Sequence, residues 1–132
     1  MGLFSRKKKE TKELQRSNYT KHDTLRLFYC DYEKDEDIPS ENALQCKEEE
    51  ALDYMRNLSG ADGNFLGIIL PDEKTVQFMQ QEGGSVYIDI PAMEMGGAYT
   101  KETSLEEVLK VISEVYGGMD PLDIEGTAFN EY

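Results

Sequence analysis

"NFLGIILPDEKTVQFMQQEGGSVYIDIPAMEMGGAYT", residues 64–100, decides the fold. Residues 64–90 hold three apolar-rich runs, "NFLGIIL", "KTVQFMQ" and "SVYIDI". Asp62-Gly63 precedes the first run, "PDEK" joins it to the second, and "QEGG" joins the second to the third. Glycine takes positive φ without steric cost, so "QEGG" suits a tight turn. Parallel strands need a crossover of roughly a dozen residues or more, and these links are far shorter. The three runs therefore predict an antiparallel meander. Val76 and Phe78 share one face of the second strand, and Val86, Ile88 and Ile90 share one face of the third. Tyr87 and Asp89 point away from that apolar set. Pro91 lacks a ladder donor and marks the expected end of the third strand.

"PAMEMGGAYT", residues 91–100, then reads as a loop before the next helix. Met93 and Met95 flank Glu94 and have no periodic reason to be buried. Gly96 and Gly97 let the backbone turn sharply or approach a partner closely. Tyr99 supplies a rigid amphipathic ring of the kind found at binding hot spots. The stretch is either a connector folded back over the sheet edge or a contact loop with adaptable Met side chains around an aromatic. Met93, Met95 and Tyr99 are the candidate contact residues.

Outward from this segment, "DTLRLFYCDYE", Asp23 to Glu33, alternates and is rich in aromatics, so it predicts the first strand. Leu25, Leu27 and Tyr29 lie on one side; Arg26, Phe28 and Cys30 lie on the other. "DYEKDEDIPSE" follows as an acidic loop. Asp31, Glu33 and Asp35 alternate as calcium ligands do, but the loop places Glu36 where such a site needs Gly. A solvated acidic face is the reading, and no metal is assigned. Lys47 to Leu58 predicts a helix with Ala51, Leu52, Met55 and Leu58 inward, an acidic first turn and Gly60 as stop. "ALQC" before it suits a short extended segment. "SLEEVLKVISEVYGG" predicts a second helix: Ser104 and Glu107 form a capping box, Leu105, Val108, Leu109, Ile112, Val115 and Tyr116 make one stripe, and Gly117 closes it. The acidic C-terminal stretch holds a few apolar residues able to dock. The fold expected is α+β: a mainly antiparallel sheet of about four strands with two helices on one face.

The chain has 132 residues, enough for one domain with a core needing no staples. Residues 1–20 are polar and basic with few apolar anchors and read as a disordered tail, leaving residues 21–132 as a single domain. The start fits myristoylation poorly, since Arg6 stands where Ser or Thr is wanted. Leu3, Phe4 and the basic run that follows suit weak contact of residues 3–9 with an anionic membrane surface, at about 1 kcal/mol per basic residue. No apolar run approaches the roughly 20 residues of a membrane span. Cys30 and Cys46 are the only cysteines, and with no export signal they fit a reducing cytoplasm.

Charge divides the chain. Residues 1–26 carry eight Lys/Arg against three Asp/Glu, or +5, while residues 27–132 carry six against 24, or −18. So acidic a body repels nucleic acid and attracts basic partners through long-range steering. The acidic run Asp35, Glu36 and Asp37 is dense, has no evident role in the fold, and is a second candidate contact region. The one histidine, His22, has no nucleophile motif beside it, and zinc spacing and a phosphate loop are both absent. The reading is of a non-enzymatic protein that needs no cofactor.

"FLGIILPDEKTVQFM" and "VYIDIPAMEMGGAYTKETSLEEVLKVI" resemble small bacterial immunity proteins encoded beside polymorphic and contact-dependent toxins. The shared pattern is a strand, a polar turn, "QF", a strand ending in "IP", a Gly pair with an aromatic, and an amphipathic helix. It covers about residues 43–116, leaving out the basic tail and the acidic C-terminal extension. The resemblance implies a cytoplasmic protein that binds and blocks a cognate toxin. Two alternatives stand beside it: an acidic decoy that mimics nucleic acid, as in phage-type inhibitors, and a housekeeping protein tethered to a membrane by its tail.

Overall fold

The structure is a computed structural model that describes residues 20–132. The expectations for a disordered basic tail and for membrane contact through residues 3–9 lie, but for Thr20, outside the described residues. Strands β1 (Leu25–Asp31), β2 (Glu36–Ile38) and β3 (Leu44–Cys46) precede helix α1 (Glu48–Asn57). Then come β4 (Phe65–Ile69), β5 (Thr75–Gln80), β6 (Val86–Ala92) and β7 (Gly97–Thr103). Helix α2 (Leu105–Tyr116) and β8 (Ala128–Glu131) complete the described chain.

The architecture is α+β, but the sheet has eight antiparallel strands rather than about four. The order is β2-β1-β4-β5-β6-β7-β8, with β3 also on β1. β2 and β3 share one edge of β1: Tyr29 to Asp31 pair with β2, and Leu25 to Leu27 pair with β3. The meander β4–β5–β6 forms as its short turns require. Gly83 and Gly84 take φ of 92° and 93° in the β5–β6 turn, where a Cβ would be strained. Pro91 does not end β6. The strand runs on to Ala92, with Pro91 opposite Ala98, because the β5–β6 pairing has already stopped at Gln77 and Asp89. At Pro91 β6 thus has one neighbour, as an edge strand does, and proline is tolerated there. The expected loop is a hairpin: a 3₁₀ turn at Met93–Met95, Gly96 at φ 76°, and then β7.

Both helices cover one face of the sheet. Ala51 and Met55 of α1, with Val108, Val111, Ile112, Val115 and Tyr116 of α2, share one core with Leu25, Leu27, Leu66, Ile68, Val76, Phe78, Val86, Ile88 and Ile90. Ser104 Oγ accepts the Glu107 N–H at 3.1 Å. The Glu107 carboxylate does not complete the expected box and lies 3.6 Å from Lys101 Nζ. The reciprocal bond appears in α1 instead, where Glu50 accepts the Lys47 N–H at 2.7 Å. Gly117 caps α2 in a right-handed conformation, and Gly118 takes the left-handed turn at φ 110°. Ile124 then joins the core and brings the C-terminal stretch back to form β8 on β7. Among the described residues, no helix is long and apolar enough to cross a membrane.

Candidate binding surface

The residues expected to contact a partner fall into two groups. Asp35 sits in the β1–β2 turn at φ 55°, and Glu36 and Asp37 belong to β2 rather than to a loop. All three side chains are exposed. Met93 is 72% exposed at the hairpin tip. Tyr99 lies on the helix-covered side of β7, half-buried against the core and 5.3 Å from the Phe129 ring. Its hydroxyl points to Met95 Sδ at 4.0 Å. The strand order puts β2 and β7 five positions apart, roughly 24 Å at the usual strand spacing. Alternating strand directions also send the acidic turn and the Met hairpin to opposite ends of the sheet. They do not form one surface.

A cleft of about 240 Å³ opens beside the acidic turn, lined by Tyr29, Asp31, Lys34, Glu36, Tyr54, Asn57 and Leu58. Asp31 is buried beneath it. Its Oδ2 accepts the Ser59 N–H at 2.8 Å, and its Oδ1 accepts the Lys34 N–H at 3.2 Å and Asn64 Nδ2 at 3.3 Å. Burial alone would raise this carboxyl. The hydrogen bonds from Ser59 and Lys34, with the Lys34 charge, outweigh it and hold the carboxyl below its usual range. Asn64 also accepts the Tyr32 N–H and donates to the Ser59 carbonyl. The Asp31 carboxylate thus ties the β1–β2 turn to the end of α1 and the start of β4. Above it Tyr29 and Tyr54 pack with ring centres 5.1 Å apart, and the Tyr29 hydroxyl donates to Glu36. Burial first, then the Glu36 bond and charge, push the Tyr29 phenol up to about 12.

The sheet face away from the helices presents a larger surface. Residues opposite each other in an antiparallel pair share a face, so register defines its rows. One row runs Asp37, Cys30, Phe65, Met79, Tyr87, Glu102. It is an apolar and aromatic band with a carboxylate at each end. The next row runs Phe28, Gly67, Gln77, Asp89, Thr100. Phe28 lies over Gly67, where an added Cβ would overlap its ring, and meets Phe65 edge-on at 6.2 Å. A shallow groove of about 570 Å³ continues past Phe28 to Ile69 and Pro91, bordered by the Arg26–Glu73 ion pair at 2.7 Å. Asp89 is half-buried at the centre of this face, and its Oδ1 is buried without a hydrogen-bond partner. Burial pushes its carboxyl up.

Of the residues expected from sequence, only Asp37 reaches this face. Phe65, Met79, Tyr87 and Asp89 were not among them. For Tyr87 and Asp89 the signal is present in the alternation of "SVYIDI", which turns them from the apolar set. Cys30 and Cys46 are both free, and they lie opposite Asp37 and Leu25, roughly 16 Å apart along β1 at about 3.3 Å per residue. Among the described residues, no three His, Cys, Asp or Glu side chains gather as metal ligands. No family model matches the chain, and no curated protein or solved structure matches it.

Proposed function

We propose that the chain is a non-catalytic protein-binding module, an immunity-type inhibitor that neutralises a basic cognate toxin in the cytoplasm. The observation that carries this reading is the charge of the folded body. Residues 20–132 hold eight Lys/Arg against 25 Asp/Glu, a net −17, and most of those carboxylates are exposed. Such a surface draws in a cationic protein and raises the rate of encounter. The resemblance of residues 43–116 to immunity proteins supplies the biological setting for that partner.

The test is co-expression with the toxin domain encoded beside the gene. Restored growth, together with a 1:1 complex of the purified proteins whose association slows with added salt, is the expected result. Growth arrest that the chain does not relieve, with no complex at low ionic strength, rejects the immunity role. A complex that duplex DNA displaces competitively identifies the partner's nucleic-acid site as the target and replaces this reading with the decoy.

A further inference from the structure

We infer that the sheet face turned away from the two described helices is the docking surface for the basic partner, and that Asp89 at its centre receives an arginine side chain. This deepens the reading above and rests on it. Asp89 leaves a buried acceptor oxygen unpaired. An unmade hydrogen bond at a buried polar group is costly, and more so when the group is charged. The flanking side chains, Gln77 and Thr100, carry no charge, and the Thr100 hydroxyl already accepts from Asn130 Nδ2 at 2.5 Å. Neither Gln77 nor Thr100 donates to that Asp89 oxygen.

Arginine fits this site better than lysine. Its planar fork pairs with a carboxylate through two bonds, and its flat face stacks on aromatic rings. Tyr87 stands two residues away on the same face of β6, beside Met79, with Phe65 one strand further along the row. An aromatic and Met-lined surface around a desolvated charge is the composition of an interface centre. The ends of the band are acidic, at Asp37 and Glu102, and Arg26 on this face is already paired with Glu73. The net −17 of the body matches a cationic occupant at longer range.

Full-length protein labelled with ¹⁵N is titrated at low salt with a hexa-arginine peptide and, separately, with hexa-lysine. Amide shifts around Gln77, Tyr87 and Asp89 are expected. Asp89→Asn should weaken hexa-arginine binding about tenfold and hexa-lysine binding less than twofold. Should that variant fail to fold, the Asp89 carboxyl is followed by ¹³C shift in the native chain. Bound hexa-arginine must then move its midpoint to lower pH, since a cation favours the carboxylate. Shifts confined to Asp35–Asp37 with Asp89 silent, or equal weakening of both peptides, overturn the docking site and leave the basic-partner reading in place. Absence of binding by either peptide at low salt overturns both. Two further outcomes replace the partner with another occupant and overturn the inference. One is peptide-free shifts on this face when Arg6, Lys7, Lys8 and Lys9 are changed to Gln. The other is shifts there that grow with protein concentration.

Discussion

Phe28 and Gly67 show how one residue depends on the absence of another's side chain. The ring of Phe28 occupies the space a side chain at position 67 would need. Gly67→Ala should therefore destabilise the protein by about 2 kcal/mol, as overpacking does. In urea unfolding, Phe28→Ala in the same chain should recover part of that loss through their coupling. Independent, additive effects would show that the ring moves aside freely. Two carboxyls at this scale predict opposite responses to pH. Asp31 has a lowered folded value, so its contribution is present above the unfolded value of about 3.9 and is lost as pH falls through the folded one. Asp89 has a raised folded value, so its contribution is full below the unfolded value and is lost as pH rises through the folded one. Stability measured from pH 3 to 7 should lose part of its acid decline in Asp31→Asn. Asp89→Asn should instead gain stability relative to wild type as pH rises. Curves parallel to wild type for both variants would remove these assignments.

At the scale of elements, the β6–β7 hairpin separates two roles that its sequence mixes. Met93 projects from the tip, whereas Tyr99 packs between the core and Phe129. Tyr99→Ala should cost about 2 kcal/mol, less than a fully buried aromatic because the ring is half-exposed. Met93→Ala should stay within about 0.5 kcal/mol. Thermal and urea unfolding of the two variants check this. A Tyr99→Ala protein as stable as wild type would return Tyr99 to the list of surface contacts. The elements that escaped sequence reading share a physical trait. β2 is three residues long with two exposed acids, β7 opens on Gly97 and ends in "KET", and β8 is mostly exposed. None shows an apolar alternation over enough residues to mark a strand. β2 and β7 are held by backbone bonds to strands that do, β1 and β6, and β8 is held in turn by β7. Pro91 misleads in the other direction, because its penalty depends on whether strands pair with it on both sides, and here only β7 does.

For the whole molecule, charge and shape act at different ranges. Neutralising Asp35, Glu36 and Asp37 together should slow association with the basic partner proposed above severalfold at low salt and leave dissociation nearly unchanged, as peripheral charges act through encounter. Added salt should erase the difference, since screening at 0.1 M acts over about 10 Å. An unaltered on-rate in stopped-flow measurements would detach the acidic turn from the approach path. The meander, both helices with their buried stripes, and the acidity of the body are legible in the amino-acid order alone. Those properties follow from side-chain periodicity, turn chemistry and a sum of charges, each readable over a short window. Long-range pairing alone extends the sheet to eight strands, and among the described residues no helix covers one of its faces. The tertiary structure also decided that Asp89 stands between uncharged Gln77 and Thr100 with a buried oxygen unpaired. Strand pairing uses N–H and C=O groups that nearly every residue carries alike. A side chain's surroundings across the sheet are set by residues distant in the chain, so neither is written in the local pattern.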